Sequence, residues 1–363
     1  MRAGKHKRSI LRDEAMAKKA QSNNQKVTIK DIARLAKVSV GTVSNYLNGT
    51  AHVAEDTRQQ IETVINQLNY HPNMNARSLR SKRTQSLGLL VPNISNPFFS
   101  EIARLIERYA WEAGYQIFLC DSDGDKEREE AHLETLYQRR VDGVIIIHTG
   151  NKSLRRLVEN WSIPTIFVDR HLKGLPSIVS DNELGGKLSL EHLLSLGHVR
   201  VAIMAGDAHV DNVQERLKGA YDVLDQHGIE VPGDYRIEGT QSLETGIEAH
   251  RFWDLPEYPT AVFTTNDVIA LGVWHSCLAR GLRIPEDVSL IGFDNIQWSA
   301  LTVPPLTTVA QDIEAICNGA VTALDKAINE QASLGSDTQL IQPQLLIRGS
   351  TTYAPSHQQI TIK

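Results

Sequence analysis

Apolar residues recur at two different spacings along the chain, and the spacing changes at Ser86. Before Ser86, the segments 27–48 and 55–69 place apolar residues three or four positions apart, which predicts short amphipathic helices. After Ser86, short runs that are apolar throughout alternate with helical segments, and such runs are typical of parallel strands buried on both faces. The pattern therefore predicts a small helical unit followed by a larger α/β unit.

The segment 27–48 predicts two short helices joined by a tight turn. Thr28 is a suitable N-cap for the first helix, and the Asp31 carboxylate can reach back to the Thr28 amide in a capping box. Ser39 is the corresponding N-cap of the second helix. Two short helices with this connection are typical of a helix-turn-helix unit, whose second helix lies in the DNA major groove. An ordinary αα-hairpin in a helical domain is the alternative, and this segment alone leaves it open.

Two successive series of strands and helices are predicted after Ser86. The strand runs of the first series are 87–91, 115–120, 143–147 and 164–169, and those of the second are 200–206, 235–239, 261–266 and 288–294. The helical segments are 98–113, 126–139, 154–160, 184–196, 213–227, 242–253, 267–280 and 312–330, with a late strand at 343–350. Two such series predict two doubly wound lobes, with a ligand at the carboxyl ends of the strands.

Three motifs in this order carry a resemblance to a known family: VTIKDIARLAKVSVGTVSNYLNG at 27–49, NYHPNMNARSLR at 69–80 and SLGLLVPNISNPFF at 86–99. From about Val27 to about Tyr353 the chain resembles the LacI/GalR family of bacterial transcription repressors. The resemblance implies an α plus α/β fold, with a helix-turn-helix headpiece and a periplasmic-binding-protein-like core of two doubly wound parallel α/β lobes. It also implies a homodimer on near-palindromic operator DNA, controlled by a small-molecule effector, expected to be a sugar, with no cofactor.

The expected domain boundaries follow from the pattern and the resemblance together. We expect a disordered basic arm at 1–26, the headpiece at 27–72, a hinge helix and linker at 73–85, the effector-binding and dimerisation core at 86–355 and a tail at 356–363. The resemblance further implies that the core crosses back between its lobes, with lobe 1 at about 86–181 and 311–342 and lobe 2 at about 182–310 and 343–355. Translation from Met1 and translation from Met16 both stay open.

The resemblance places DNA contacts in the headpiece and in the hinge. The headpiece candidates are Thr28, Ser39, Val40, Gly41, Thr42, Ser44 and Asn45, and the hinge candidates are Asn73, Ala76, Arg77 and Leu79. In the family, the leucine that matches Leu79 is wedged between base pairs of the minor groove and kinks the duplex. This chain departs from the family at Lys37, where glycine is usual, and at Asn45, where arginine or histidine often reads a base. The two departures leave the operator sequence open.

Polar residues at the ends of predicted strands indicate a ligand site in the core. Asp169, Asn266 and Asp294 end strand runs, and Arg216 is predicted in the first turn of the helix after 200–206. Carboxylates and amides with one guanidinium group can hydrogen-bond vicinal hydroxyls, and aromatic faces can pack on a sugar ring. With the positions that the resemblance adds, the expected effector contacts are Phe98, Phe99, His148, Asp169, Arg216, Gln241, Asn266 and Asp294.

Structural roles are the alternative for several of these residues. Asp267 is expected to cap its helix, Asp169 and Arg170 can form a plain surface pair, and the two phenylalanines can belong to the core. Trp298 is a further aromatic candidate. Gln241 stands where family members often carry an aromatic side chain that stacks on the ligand. That departure weakens a nucleobase effector and leaves a sugar, a sugar phosphate or a polyol.

The charge of the chain is unevenly distributed, which favours a polyanionic partner at one end. Residues 1–84 contain 16 of the 38 Lys and Arg residues but 6 of the 43 Asp and Glu residues, which leaves 22 basic against 37 acidic residues in the remainder. A basic head on an acidic body is expected of a chain that binds DNA through one end. The three cysteines, Cys120, Cys277 and Cys317, are widely spaced, which suits a reducing cytosol and argues against disulfides or a zinc site.

Two other classes of protein share the expected lobes. A periplasmic sugar-binding protein would need a secretory signal, but the basic N-terminus has no apolar core region, and no run of about 18 apolar residues predicts a membrane span. An NAD-dependent enzyme would need G-x-G-x-x-G after the first strand, where the chain has VPNISNPF. We therefore expect a non-enzymatic, nucleoid-associated regulator in the bacterial cytoplasm. It should stop at a dimer, because SHQQITIK at the C-terminus is too short and too polar for a leucine heptad. Induction is expected ahead of corepression, and both occur in the family.

Overall fold

A computed structural model describes residues 27–48, 51–70 and 83–355. The expected basic arm at 1–26, the hinge candidates Asn73, Ala76, Arg77 and Leu79, and the tail at 356–363 lie outside the described residues. The described residues form two compact units, divided between Thr84 and Gln85. Each unit is described by itself.

The headpiece unit is a three-helix cluster around one small apolar core. Its helices are α1 at Ile29–Leu35, α2 at Val40–Asn48 and α3 at Glu55–Leu68. Each helix contributes one side chain with no exposed surface to this core: Ile32, Val43 and Ile61. The hydroxyl of Tyr46 on α2 also donates a hydrogen bond to Glu62 on α3 over 2.7 Å, so a polar contact joins the same two helices.

Short polar side chains start the first two helices, as the sequence predicts. The Asp31 carboxylate accepts a hydrogen bond from the Thr28 backbone amide over 3.1 Å and one from the Thr28 hydroxyl over 2.7 Å. The Ser39 hydroxyl accepts from the backbone amide of Thr42 over 2.9 Å at the start of α2. Such bonds satisfy backbone groups that a helix end leaves without an intrahelical partner.

The core unit contains twelve strands among the described residues. In chain order they are β1 at Ser86–Val91, β2 at Gln116–Asp121, β3 at Gly143–Ile146, β4 at Thr165–Val168, β5 at Ser177–Ser180, β6 at Val201–Ala205, β7 at Arg236–Glu238, β8 at Ala261–Thr264, β9 at Ser289–Phe293, β10 at Thr307–Ala310, β11 at Thr338–Ile341 and β12 at Gln344–Leu346. They form two six-stranded sheets in the orders β11-β5-β4-β3-β1-β2 and β12-β10-β9-β8-β6-β7. The first sheet is parallel throughout, and in the second only β12 is antiparallel to its neighbour.

Eight α-helices of the described core unit accompany these sheets. They are α4 at Pro97–Glu112, α5 at Lys126–Gln138, α6 at Leu154–Glu159, α7 at Asn182–Ser195, α8 at Asp211–Gln226, α9 at Leu243–Ile247, α10 at Asp267–Ala279 and α11 at Ile313–Glu330. Short 3-10 helices lie at Gly233–Tyr235, Glu248–Asp254 and Gln297–Ala300. Because helices cover the sheet faces, inner strands such as β1, β3 and β4 are buried along their whole length, whereas the edge strands β2 and β11 are partly exposed.

The chain crosses between the two sheets three times. The first lobe consists of β1 to β5 with α4 to α6, and of α11 and β11 from much later in the chain. The second lobe consists of β6 to β10 with α7 to α10, and of β12, which pairs with β10. Each lobe is therefore built from segments that are discontinuous in sequence.

Several elements differ from the sequence prediction. Strands β5, β10 and β11 were not predicted, because each is four residues long and rich in Ser, Thr or Gln. The segment 242–253, predicted as one helix, is α9 followed by the 3-10 helix Glu248–Asp254. The predicted strand 343–350 is confined to β12. Across the described parts of the chain, no helix combines the length and the apolar character needed to cross a membrane.

Candidate functional site

The outer face of α2 presents the side chains that the sequence predicts for base contact. The opposite face is fixed in the core through Val43, which has no exposed surface. The outer residues are exposed or half-buried: Val40, Gly41, Thr42, Ser44 and Asn45. Thr28 and Ser39, the remaining headpiece candidates, are exposed at the starts of α1 and α2. The unit therefore offers one helix face, with small and polar side chains, to a partner.

Lys37 occupies the turn between α1 and α2 in a left-handed backbone conformation, with φ of 54°. Glycine adopts this conformation without steric cost, whereas a residue with a Cβ atom is disfavoured there. The glycine that is usual in the family at this position has a physical reason, and Lys37 keeps the turn geometry in spite of its side chain. The turn is thus formed as in a helix-turn-helix unit.

In the core unit, two buried carboxylates follow strands of different sheets. Asp169 follows β4 and Asp294 follows β9, and their side chains are 2% and 6% exposed. Both residues have positive φ, 64° and 103° respectively. Such conformations are unfavourable for residues with a side chain and persist where the surrounding contacts hold them. The structure therefore holds two carboxyl groups inside the core in backbone conformations that cost free energy.

Close packing of α7 against α8 positions Arg216 beside these carboxylates. A Cβ atom on Gly186 would lie 2.0 Å from the backbone oxygen of Arg216, and a Cβ atom on Gly219 would lie 2.0 Å from that of Glu183. Only glycine lets the two helix backbones approach so closely. Because α8 begins at Asp211, Arg216 lies in its second turn, and the prediction of a first-turn position was wrong.

Arg216 is the centre of a buried hydrogen-bond network. Its Nε donates to Asn182 Oδ1 over 2.9 Å, and its Nη1 donates to the Thr265 carbonyl over 2.6 Å and to Asp294 Oδ1 over 3.1 Å. The guanidinium plane also lies over the ring of Phe293, with Cζ 3.7 Å from the ring centroid. These contacts fix the guanidinium group in one orientation.

Side-chain hydrogen bonds join the lobes directly. Asn212 Nδ2 of the second lobe donates to Asp169 Oδ2 of the first over 3.1 Å, and Arg170 Nη2 donates to Gln241 Oε1 over 3.4 Å. Arg170 also lies 3.6 Å from Asp169, measured from Nε to Oδ2, and it is 4% exposed. The interpretation of Asp169 and Arg170 as a plain surface pair was therefore wrong, because both are buried between the lobes.

Five buried polar atoms around this network have no hydrogen-bond partner within the residues that the structure describes. Three are acceptors, Asp169 Oδ1, Asn212 Oδ1 and Gln311 Oε1, and two are donors, Arg170 Nε and Asn266 Nδ2. Gln311 belongs to the network because its Nε2 donates to Asp294 Oδ1 over 2.7 Å. Buried polar atoms normally have partners, and an unpaired one costs about 1–3 kcal/mol. The region is suited to a ligand that offers donors and acceptors together.

Burial controls the protonation of the cleft carboxyls. It raises the pKa of Asp169, which the nearby Arg170 and Arg216 charges partly oppose. It also raises the pKa of Asp294 to about 7, again against the influence of Arg216. Burial lowers the pKa of Arg170, while Asp169 raises it. The opposite charges of these side chains partly offset the cost of desolvating them. A ligand hydroxyl group, which carries no net charge, can therefore hydrogen-bond the polar groups of the cleft.

His148 lies at the edge of the network with both ring nitrogens engaged. Nδ1 accepts from the Gly150 backbone amide over 2.9 Å, and Nε2 lies 3.4 Å from the His171 carbonyl oxygen. Burial and the charge of Arg170 lower the pKa of His148 to about 3, so the ring is neutral near pH 7. Arg170 in turn donates to the backbone carbonyl of His148. These contacts give His148 a role in orienting Arg170.

The predicted aromatic contacts differ in their surroundings. Phe98 and Phe99 are buried in the apolar core of the first lobe and pack edge to face, with ring centroids 5.4 Å apart. Arg170 lies over the Phe99 ring, with Cζ 5.6 Å from its centroid. Trp298, in the 3-10 helix Gln297–Ala300, is 49% exposed. Phe99 is thus both a core residue and a border of the polar network.

Asp267 does not cap α10, and that expectation was wrong. The N-cap is Asn266, whose Oδ1 accepts from the Ile269 backbone amide over 2.8 Å. The Asp267 carboxyl is buried instead, and it accepts from the Thr308 hydroxyl over 2.6 Å and from the Ile296 backbone amide over 2.9 Å. It therefore ties the loop after β9 to β10.

Sequence reasoning missed Asn182, Asn212 and Gln311. Asn182 and Gln311 follow β5 and β10, two strands that were not predicted, and Asn212 lies in the first turn of α8. Asn182 and Gln311 sit just beyond the carboxyl ends of their strands, which is the signal that could have identified them. Asn212 lies inside a helix, and its bond to Asp169 of the other lobe has no local sequence signal. Among the described residues, no cluster of three or more His, Cys, Asp or Glu side chains has an arrangement that could hold a metal ion.

Comparison with known proteins covers both units. Residues 28–73 match the family described as bacterial regulatory proteins, lacI family, and residues 190–351 match the periplasmic binding protein-like domain. The ribose operon repressor of Escherichia coli (strain K12) is 35% identical over 328 residues, which cover 89% of this chain and 99% of that protein.

Two solved structures of regulators are similar to this chain. The Lac repressor dimer bound to operator and the anti-inducer ONPF has a TM-score of 0.81 and 29% identity, covering 90% of this chain and 100% of that one. A LacI family transcriptional regulator from Enterococcus faecium with bound ribose has a TM-score of 0.67 and 30% identity, covering 74% of this chain and 100% of that one.

A helix-turn-helix unit followed by a two-lobed α/β core with a polar cleft defines the class of ligand-controlled DNA-binding proteins. Since a relative that it matches over nearly its whole length is 35% identical, the chain belongs to the LacI family of bacterial regulatory proteins. It is a DNA-binding regulator of transcription, as the sequence predicts, and the similar proteins are repressors, not enzymes.

Proposed function

We propose that this chain is a repressor whose affinity for its operator is controlled by a sugar or sugar derivative bound between the two lobes of the core. The observation that carries the proposal is the set of five buried polar atoms in this region that have no hydrogen-bond partner among the described residues. Three of these atoms accept and two donate, and a hydroxyl group can do both. A polyhydroxyl ligand is complementary to this set, whereas an apolar ligand would leave it unpaired.

The side chain at position 241 supports a sugar over a flat heteroaromatic effector. Gln241 borders the network through its bond to Arg170 and offers an amide where stacking would need a ring. The bound ribose in the Enterococcus faecium regulator and the ribose operon repressor of Escherichia coli also favour this ligand class. Asp169, Arg216, Asn266 and Asp294 are the proposed hydrogen-bonding contacts, with Phe99 bordering the site.

The proposed DNA contacts are on the outer face of α2 and in the segment 73–80. Thr42, Ser44 and Asn45 would read base edges in the major groove, because a recognition helix presents these positions there. Leu79 as a minor-groove wedge stays a prediction. One headpiece reads few bases, so specific binding calls for two headpieces on a near-palindromic operator.

We propose a homodimer that uses the β2 edge of the first sheet. Trp111, at the end of α4, is 68% exposed, and Phe118 and Leu119 on β2 are 40% and 48% exposed. Large apolar side chains on an open sheet edge are typical of a surface that pairs with another copy. The Lac repressor, whose structure is similar, is a dimer on its operator. The setting proposed for this assembly is the bacterial cytoplasm, in association with the nucleoid.

Ligand control would act through the relative orientation of the lobes. Contacts between the lobes involve Asp169, Arg170, Asn212 and Gln241, which are the groups that a ligand in the cleft would touch. A ligand can shift the equilibrium only by its differential affinity for two orientations, a coupling of about 1–3 kcal/mol in typical cases. We propose induction, in which the ligand weakens operator binding.

An operator titration with and without sugar tests this function. The operator is selected from random DNA with the full chain, and affinity is measured by fluorescence anisotropy across a panel of pentoses, hexoses and polyols. We expect one sugar to weaken operator binding by about 5- to 150-fold, the range of typical coupling energies. Asp169→Asn should abolish this response, because it replaces one oxygen of the buried carboxyl group with an NH2 donor.

The matched control is Asp225→Asn, the same chemical change on the exposed surface of α8. It should respond to the sugar like the parent, and both variants should bind the operator like the parent without sugar. If Asp169→Asn responds at parental sugar concentrations, the effector does not bind in this cleft. If no fragment is selected from random DNA, the repressor assignment itself is wrong for this chain.

A further inference from the structure

A pocket of about 510 Å³ lies between the lobes, lined by residues that adjoin the polar network in sequence. Its lining from the first lobe comes from the start of α6 and the loop after β4, and its lining from the second lobe comes from α8. We call it the mouth pocket. Its fixed cations are Lys152, Arg155, Lys173 and Lys218, its carboxylates are Asp211 and Glu215, and His171 also lines it. The volume is in the range of pockets that bind small molecules, about 300–1,000 Å³.

The mouth pocket has an excess of positive charge, whereas the part of the chain after residue 84 has an excess of negative charge. The remainder of the chain after residue 84 has 22 basic against 37 acidic residues, yet the pocket lining has four fixed cations against two carboxylates. Lys152 and Lys173 form no ion pair within the described residues. Arg155 pairs through Nε with Glu159 over 2.7 Å, and Lys218 pairs with Glu183 over 2.6 Å. A local excess of positive charge in an acidic body indicates a site for an anion.

The two cationic walls come from different lobes, and both continue directly into the polar network. His171 of the pocket follows Arg170 of the network, and Glu215 of the pocket precedes Arg216. His171 Nδ1 lies 3.8 Å from Glu215 Oε1 at the boundary between the two regions. The mouth pocket and the polar network are therefore formed by adjacent residues in both lobes.

The loop after β4 is shaped to leave room for Arg155. Gly174 has φ of 81°, and a Cβ atom there would lie 3.2 Å from Arg155 Nη2. Both the backbone conformation and the close approach of the guanidinium group favour glycine at this position. Nη2 of Arg155, which its Nε contact with Glu159 does not use, lies at this loop and suits an oxyanion.

We propose that the mouth pocket binds the phosphate group of a phosphorylated sugar whose ring occupies the polar network. This rests on the proposed sugar-responsive function and narrows its effector to an anionic sugar. A phosphate offers several acceptor oxygens and about two negative charges, which Lys152, Lys173 and Arg155 complement from one lobe and Lys218 from the other. The phosphate ester would thus contact both lobes twice, through its phosphate group in the mouth pocket and through its sugar ring in the polar network.

Isothermal titration of the full chain tests the pocket, with pentoses and hexoses in free form, their phosphate esters and inorganic phosphate as probes. The variants are the double substitution Lys152→Gln/Lys173→Gln, the control Lys326→Gln on the exposed surface of α11, and Asp169→Asn. We expect one ester to bind the parent at least tenfold more tightly than its free sugar. The double variant should lose this gain and keep its affinity for the free sugar, the Lys326→Gln protein should match the parent, and Asp169→Asn should weaken both ligands.

The outcomes separate the pocket from the function on which it rests. If free sugar and ester bind the parent equally, or the double variant keeps the full gain, the mouth pocket is not a phosphate site, while the sugar-responsive function stands. If no sugar in either form binds, the proposed function fails. The pocket is then judged by inorganic phosphate: saturable binding that the double variant loses supports an anion site, and no binding overturns it.

Discussion

Lys37 illustrates how one residue can weaken a unit without changing its fold. Its left-handed conformation costs about 1–2 kcal/mol for a residue with a Cβ atom, and glycine avoids that cost but loses about 0.5–1 kcal/mol of its own in chain entropy. We expect Lys37→Gly to raise the free energy of unfolding of the headpiece by up to about 1 kcal/mol. Hydrogen exchange of headpiece amides in the full chain measures this directly. Lys30→Gly within α1 is the control and should lower the same quantity by about 1 kcal/mol. Equal losses in both variants would contradict a strained turn.

The buried carboxyl of Asp267 should make the core less stable as the pH rises. Burial and the nearby Asp294 charge raise the pKa of Asp267 to about 8, so the folded protein holds a proton that the unfolded chain releases near pH 4. The stability that the protonated group contributes is complete below about pH 4 and is lost as the pH rises through about 8.

Asp267→Asn removes this titration, and its effect should therefore depend on pH. We expect the melting temperature of the variant, relative to that of the parent, to increase between about pH 6 and about pH 8 and to level off above it, where the folded parent has also lost the proton. Differential scanning calorimetry of the full chain at a series of pH values measures the difference. Asp225→Asn on the surface should show no such trend. Parallel curves for parent and Asp267→Asn would show that the carboxyl is already charged at pH 6.

The residues of the cleft could be predicted only where they follow a strand that is recognisable from its run of apolar residues. Asp169, Asn266 and Asp294 follow strands whose apolar residues are continuous, and the structure brings Asp294 together with Arg216. The partners Asn182 and Gln311 follow the short strands β5 and β10, where hydroxyl side chains hide the pattern. The bond from Asn212 to Asp169 joins segments of different lobes, and no local pattern encodes it.

Among the elements, α2 combines a fixed face with an open one, and Gly41 lies on the open side. Among the described residues, a Cβ atom there would meet only the Ser39 hydroxyl oxygen, at 3.5 Å, so none of them requires glycine at this position. Gly41→Ala should stabilise the headpiece by about 0.5–1 kcal/mol, because alanine is the better helix former. It should also weaken operator binding by about tenfold, as loss of one close contact of about 1–3 kcal/mol would.

Anisotropy titrations and hydrogen exchange on the same Gly41→Ala protein test the two effects together. Gln67→Ala, on the exposed surface of α3, serves as the control and should leave operator affinity unchanged. Unchanged operator affinity in Gly41→Ala would mean that this part of α2 does not approach DNA closely.

Element boundaries were predictable where caps are explicit and less so elsewhere. Ser39 starts α2 through a bond to the Thr42 amide, as predicted from residue type alone. The segment 242–253 has the apolar spacing of one helix, but the chain tightens into a 3-10 helix from Glu248 onward. A Cβ atom on Gly246 would lie 2.1 Å from the Ile269 backbone oxygen, so packing of α9 on α10 shapes this segment. Such a constraint comes from tertiary structure, which hydrophobic spacing does not contain.

For the whole molecule, the exposed edge of the first sheet leads to a prediction about assembly. Leu119→Lys places a charge on β2 and should convert the dimer to monomers at micromolar concentration, with a loss of operator affinity. Sedimentation equilibrium measures the first effect and an operator titration the second. Leu340→Lys is the matched control, because Leu340 is 57% exposed on β11 at the opposite edge of the same sheet, and it should leave the dimer intact. A parental protein that sediments mostly as a tetramer, or an unaffected Leu119→Lys dimer, would contradict the proposed interface.

The three crossings between the sheets determine the order in which the two lobes can be completed during translation. Strand β5 leaves the exit tunnel early, but its outer neighbour β11 follows only after β6 to β10 have been translated. The sheet of the nascent first lobe therefore keeps one unpaired edge while the second lobe folds. Its last strand then arrives together with α11, which packs against α4. A premature stop codon after β10 would damage the lobe that was translated first, and would also deprive the second lobe of β12.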